Sequence, residues 1–313
     1  MPILGIDIGG TRLKVGMVSA GGKLLASESV QTPTSLYEFK KTLSDLILAV
    51  SRDGRPESIG IGCKGVVDTH TATVVRQPGT FQFLEGLSFP DLLKPLTSEN
   101  LPVFADNDAR VALAGEVVWG AARGKTNVLM LTLGTGVGGA VLADGRMLRG
   151  ATGGAGLLGH VTLVENGRFC DCGNRGCLET VFSARAIQAE ALHAIYRGVE
   201  SLLTDRFKND YEALTCKAVF DAAAEGDTIA QAITDDAVRS LGAAAAGLLH
   251  VFDPEVLILG GQIIEAGDPL LDPLREEVAW RSKRFLGRVV PIVTAEVGNA
   301  AGVIGAAALT LLK

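Results

Sequence analysis

Three of the chain's five cysteines fall in one glycine-rich run, "FCDCGNRGCLE" at Phe169–Glu179, and His160 precedes the first of them by ten positions. The spacing is His-x9-Cys-x-Cys-x4-Cys. Three thiolates and one imidazole, His160, Cys170, Cys172 and Cys177, make a closed tetrahedral set for a structural Zn²⁺. A disulfide across Cys-x-Cys would be strained, and a redox pair is ordinarily spaced Cys-x-x-Cys. Accidental clustering is the bland alternative. Cys63 and Cys216 sit among apolar residues and read as buried bystanders.

Two further patterns could carry chemistry. Apolar strands lead into "DIGGT" at Asp7–Thr11 and "LGTG" at Leu133–Gly136. Backbone N–H groups in such turns, with the hydroxyls of Thr11 and Thr135, can bind phosphate oxygens. A plain hairpin is the alternative for either alone, whereas two at matching places favour a clamp on a polyphosphate. Neither is a Walker A loop, because no Gly-Lys-Ser/Thr follows. Asp7, an acid ending a buried strand, needs a partner, and Mg²⁺ held directly or through water is a natural one. "DNDARVALAGE" at Asp106–Glu116 then places three polar residues at the mouth of a helix. Capping accounts for one of them. Asp108 could take a proton from a hydroxyl that attacks phosphorus.

The elements that must position these groups read as α/β. Strands are expected at "PILGIDIG", "RLKVGMVS", "KLLASESVQ", "SIGIGC" and "LPVFAD", with a helix over 35–52 and another running to about Trp119. After Gly120 the strand–turn–strand pattern restarts, a weak internal repeat. Helices are expected over about 180–206 and 217–251, a strand at "PEVLILGGQI", another at "VVPIVTAEV", and a closing helix over 300–312. Strands alternating with helices indicate α/β architecture. The restart alone places the boundary at 119/120, giving an N-terminal domain 1–119 and a C-terminal domain 120–299.

The composition bounds the possibilities. The chain has 313 residues, 47% hydrophobic and 20% charged, and 39 glycines without a collagen-like period. A net charge of −6 argues against nucleic acid or an anionic membrane as the main partner. The start, "MPILGIDIGG", lacks the basic region of a signal peptide, and the apolar "NAAGVIGAAALTLL" is too short for a span. A cytoplasmic protein is therefore expected, where thiols stay reduced and a disulfide is the weaker reading of the cysteine run.

Taken together, these motifs resemble the ROK family of sugar kinases and sugar-responsive repressors, nearly end to end. The likeness rests on "DIGGT", "NDA" with "GE", "LGTGVGG", "GH" at His160, "CDCGNRGCLE", "LGG" at Leu259 and the Gly/Ala-rich C-terminal helix. It implies an actin/hexokinase-like (ribonuclease H-like) fold, two α/β domains around a cleft, with the helix over 300–313 completing the first domain. It also implies ATP with Mg²⁺, a homodimer, and roles for particular residues. Asp7, Gly9, Gly10 and Thr11 would match the first phosphate loop, and Gly134, Thr135 and Gly136 the second. Gly260 and Gly261 would lie near the adenosine. Asp108 would match the catalytic base. Gly65, Asn107, His160 and Glu179 would stand on the sugar side, with His160 also on the zinc.

Three positions depart from the family pattern, all on the sugar side. Leu157 stands where a Glu is usual, Lys64 where a Pro is usual, and Gly79, after Pro78, where an Asn is usual. A leucine leaves a sugar hydroxyl without its acceptor, so a less hydroxylated, substituted or acidic sugar is expected, with Lys64 meeting an anion in the last case; the bland alternative is a solvated Lys64 and a merely poor enzyme. The leading reading is an ATP-dependent sugar kinase. The alternatives are a sugar-responsive regulator, for which Asp7 stands too near the start, and a sugar binder without turnover. A polyphosphate donor in place of ATP is left open.

Overall fold

The computed structural model describes residues 2–52, 54–77, 81–97 and 101–312. They divide into two compact units. One comprises Met1–Thr126, Ala140–Gly156 and Ala295–Lys313, the other Asn127–Gly139 and Leu157–Thr294. This differs from a boundary at 119/120. The first unit continues to Thr126, takes back Ala140–Gly156 and regains the chain at Ala295.

In the first part of the chain the elements are β1 (Ile3–Ile8), β2 (Arg12–Val18), β3 (Leu24–Gln31), α1 (Leu36–Val50), β4 (Ile59–Cys63), β5 (Val66–Asp68), β6 (Thr73–Arg76), α2 (Phe89–Leu93), β7 (Val103–Asn107) and α3 (Asp108–Trp119). The first sheet has the order β3-β2-β1-β4-β7. β1 to β3 form an antiparallel meander, whereas β1, β4 and β7 run parallel. In register, Asp7 lies beside Gly62, and Cys63 beside Asn107. Asp7 and the Asp106–Asn107 pair are thus brought to the carboxyl ends of parallel strands, where open α/β sheets bind ligands.

Alternation along β1 divides its neighbours. Leu4, Ile6 and Ile8 join the core that contains Phe39, Leu43 and Ile47 of α1. Gly5 and Asp7 face the other way, toward the final helix α9 (Ala301–Leu309). That helix is apolar all round and buried along Val303–Leu309, so its hydrophobicity marks a core helix. Its backbone sits close to the sheet. A Cβ on Gly60 would overlap the Ala306 carbonyl, and one on Gly302 would overlap the Asp7 carboxylate.

Glu116 fixes where α9 begins. It is fully buried. One carboxylate oxygen accepts from the backbone N–H of Ala121 at 2.8 Å and Glu296 at 3.1 Å, and the other from Val297 at 2.9 Å. The "GE" of the α3 motif is therefore a structural tie, which no spacing argument had assigned.

The remaining elements are β8 (Val128–Leu133), β9 (Val137–Ala143), β10 (Arg146–Met147), α4 (Ala184–Tyr196), α5 (Leu202–Phe207), α6 (Cys216–Ala224), α7 (Thr228–Phe252), β11 (Val256–Gly260), α8 (Asp268–Leu286) and β12 (Ile292–Thr294). The second sheet has the order β10-β9-β8-β11-β12, so the strand–turn–strand restart matches the β1–β2 arrangement. The long helical stretches anticipated over 180–206 and 217–251 are each broken. Gly226, at φ +93°, ends α6, and the Asp227 side chain caps α7 by accepting from Ala230. The strand at "VVPIVTAEV" shrinks to Ile292–Thr294, and α8 was not anticipated, its charged face and prolines masking the period.

Replacing Glu116 by Ala leaves three backbone N–H groups without their acceptor. Stability should fall by about 3 kcal/mol or more, read as a lower denaturation midpoint with an unchanged slope.

Candidate active site

The first unit gathers Asp7, Gly65, Asn107 and Asp108. β7 ends in Asn107, whose non-helical backbone and side chain cap α3 by accepting from Ala109 N–H at 3.0 Å. The same side chain donates through Nδ2 to the Gly65 carbonyl at 3.0 Å. Gly65 holds φ at +97°, which favours glycine and presents that carbonyl. Asn107 thereby keeps one amide N–H and one lone pair for a ligand.

Asp108 opens α3, and its Oδ1 accepts from Ala109 N–H at 2.9 Å. Part of its surface meets solvent, yet protein atoms crowd the carboxyl. Burial pushes its pKa above the ordinary carboxylate value, against the pull of the Ala109 N–H, Lys64 and Arg110. Asp7 behaves similarly. Burial raises it to about 6, Lys14 opposing and Asp108 adding to the rise. The Lys14 ammonium lies 4.0 Å from Asp7 Oδ2. Two neighbouring acids with raised pKa values are poised for a proton or a cation.

The first glycine turn closes through Gly9 N–H to the Arg12 carbonyl at 3.1 Å. Thr32 then occupies two of its carbonyls, donating from its backbone N–H to Thr11 and from Oγ1 to Gly9 at 2.7 Å. Gly10 and Thr11 are exposed.

In the second unit, Gly134 N–H bonds the Gly136 carbonyl at 3.0 Å, and Ala184 at the start of α4 donates to the Gly134 carbonyl at 2.9 Å. Gly261, at φ +93°, packs so closely on Leu133 that a Cβ would overlap its backbone, which places the paired glycines at the end of β11 beside the same turn. Glu179 joins this group. Its Oε2 accepts from Val137 N–H at 2.8 Å, and a side chain on Gly136 would collide with it.

The ligand atoms of His160, Cys170, Cys172 and Cys177 all lie within 4.8 Å of one another. The Cys172 and Cys177 sulfurs are 3.6 Å apart, and His160 Nδ1 is 3.4 Å from the Cys170 sulfur. Tetrahedral Zn–S and Zn–N bonds of about 2.3 and 2.0 Å require ligand separations of roughly 3.5–3.8 Å, so the residues fit a zinc ion. With Nδ1 toward the sulfurs, Nε2 is the ring nitrogen left for another partner. Cys63 and Cys216 are buried elsewhere. Lys64 is exposed, and Leu157 is 39% exposed. Pro78 and Gly79 lie outside the described residues.

Sequence reasoning passed over Arg110 and Arg149, which both bind Asp106, and Arg185, whose Nε lies 3.3 Å from the Thr135 carbonyl. The i,i+4 spacing of Asp106 and Arg110 was the signal available for the first.

Residues 3–313 match the ROK family. A glucokinase of Thermotoga maritima is 37% identical over 99% of this chain and 97% of its own length. A xylose repressor of Caldicellulosiruptor bescii is 29% identical over 90% of this chain and 70% of its own. A ROK family glucokinase structure from Streptomyces griseus, in complex with glucose and AMPPNP, aligns with a TM-score of 0.83 at 31% identity over 99% of both chains. The fold is accordingly actin/hexokinase-like. Among the described residues no helix is long and apolar enough to cross a membrane.

The raised pKa of Asp108 has a sign that can be checked. The folded protein holds this proton more tightly than the unfolded chain, so stability falls as pH rises from the ordinary carboxylate value through the folded one. At neutral pH Asp108→Asn should therefore raise Tm, and the gain should vanish below about pH 4, as scanning calorimetry across pH would read.

Proposed function

We propose that this chain, which belongs to the ROK family, transfers the terminal phosphate of ATP to a sugar hydroxyl. Asp108 carries the reading. It is a carboxylate with a raised pKa, held at the mouth of α3 beside an asparagine whose amide keeps a free donor and acceptor. The full-length likeness to glucokinases supports the same chemistry.

In this reaction Asn107 orients the sugar, and Asp108 accepts the proton of the hydroxyl as its oxygen attacks the terminal phosphorus. The bond from phosphorus to the bridging oxygen breaks, and ADP leaves with that electron pair. Positioning and electrostatics supply most of the rate, because the transition state is loose. Gly10 and Thr11 in the first unit, and Thr135 and Gly136 in the second, offer N–H and hydroxyl donors to phosphate oxygens, on turns that the Gly9 and Gly134 N–H groups close from within. Gly260 and Gly261 stand on the adenosine side. Mg²⁺ would be held at Asp7, directly or through water, where it neutralises phosphate charge. His160, Cys170, Cys172 and Cys177 would hold a structural zinc that fixes the His160 ring for a sugar hydroxyl. Glu179 contacts the sugar through the oxygen not bonded to Val137. The protein acts as a cytoplasmic homodimer.

The sugar departs from plain glucose. Leu157 presents an apolar surface where a carboxylate would grip a hydroxyl, and Lys64 adds an exposed cation in the first unit. A sugar lacking that hydroxyl, or bearing a substituent or an acid group, suits these residues better.

Three measurements test this. Asp108→Asn should lower kcat by about 10²–10⁴ with a much smaller change in KM for ATP. The wild-type rate should also fall on acidification above the ordinary carboxylate range, since the base must be ionised. Leu157→Glu should raise kcat/KM for glucose about tenfold or more, the worth of a charged hydrogen bond. An assay across glucose, N-acetylated hexosamines and sugar acids reads all three. A wild-type preference for plain glucose would remove the altered-substrate reading.

A further inference from the structure

The first unit holds a set of charges that this reaction does not use. Asp106 and Arg110 are 0% and 1% exposed. Arg110 Nε donates to Asp106 Oδ1 at 2.5 Å, Arg149 Nε donates to Oδ2 at 2.9 Å, and Asn107 N–H donates to Oδ1 at 2.8 Å. The guanidinium of Arg110 has two further bonds. Nη1 donates to the Ala155 carbonyl at 2.7 Å and Nη2 to the Gly153 carbonyl at 2.9 Å.

Stability alone does not call for this arrangement, since well-packed apolar residues often replace buried ion pairs without loss. Its distinctive product is geometry. One planar fork joins the end of β7, the first turn of α3 and the backbone of 153–155. Asp106 and Arg110 flank Asn107 and Asp108 in sequence, so the clamp holds that pair from both sides. The 153–155 backbone also presses on β5, where a Cβ on Gly153 would overlap the Val67 carbonyl. β5 follows directly from Lys64 and Gly65, the latter bonded to Asn107. A lysine could not reproduce the arrangement, because a single ammonium cannot span a carboxylate and two carbonyls in a fixed plane.

We propose that Arg110 is a positioning residue for sugar binding: its guanidinium locks 153–155 onto the Asn107–Asp108 corner, so that the sugar-facing groups of the first unit stand in one arrangement before the sugar arrives. Preorganisation of this kind lowers the ordering that binding must impose. The proposal rests on the sugar-kinase reading.

Arg110→Met would take from Asp106 its fully buried cation, so the test uses Arg110→Lys, with Arg149→Gln as a control whose side chain touches Asp106 but neither carbonyl. In Arg110→Lys the KM for the sugar should rise about tenfold or more while the KM for ATP moves by less than about threefold, the entropic and orientational loss falling on one substrate. Amide hydrogen exchange over 153–156 should quicken in the same variant. Arg149→Gln should leave both KM values within about threefold. Three results would overturn the proposal: an unchanged sugar KM in a folded Arg110→Lys protein, an equal rise in both KM values, or loss of the fold in Arg110→Lys while Arg149→Gln stays folded. A wild type that phosphorylates no sugar would instead remove the kinase reading, and this inference with it.

Discussion

A carboxylate sealed from water at the end of a parallel strand is the constraint around which the first unit is arranged. Asp106 cannot be solvated, and an unpaired charge in that position would cost more than the fold can supply. Two guanidinium groups and the Asn107 N–H surround it. Their origins explain the division of the chain. Arg149 follows β10, so the requirement to neutralise Asp106 draws Ala140–Gly156 into the first unit although the residues on either side belong to the second.

A second acid obeys the same logic with a different outcome. Asp7 also lies near the end of a parallel strand, yet it faces the backbone of α9 at a glycine, and its cationic neighbour is Lys14, at 4.0 Å. Asp106 is satisfied within the protein, whereas Asp7 and Asp108 keep raised pKa values. Of three acids near the ends of β1 and β7 and at the start of α3, one is therefore bound into the structure and two are left available. The separation follows from which of them arginines hydrogen-bond directly.

Much of this was legible in the residues. The glycine turns, a cap at the mouth of α3 and the cysteine–histidine set each depend on a local pattern, and local patterns survive in a single sequence. The pairing of Asp106 with Arg149 joins positions 43 residues apart, and the ties of Glu116 to Glu296 and Val297 span 180 and 181. No local pattern encodes these. α8 was missed for a different reason: it buries only a narrow stripe, Leu270, Leu271, Leu274 and Val278, under a run of charges. The closing helix stood out for the opposite property, being apolar on every side, which by itself did not say that it packs through its backbone.

Glu179, read from the sequence as a ligand group, makes a structural bond in the second unit. It comes two positions after Cys177, within the segment the proposed zinc would stiffen. Its Oε2 is bonded to the N–H that follows the second glycine turn, and Gly136 must lack a side chain to admit it. A carboxylate oxygen has two lone pairs and the group has two oxygens, so one bond to the backbone leaves capacity for a hydroxyl. Any displacement of the segment around Glu179 would therefore be felt at the second glycine turn through this one side chain. Within the second unit, this side chain ties the segment after the cysteine loop to the second glycine turn.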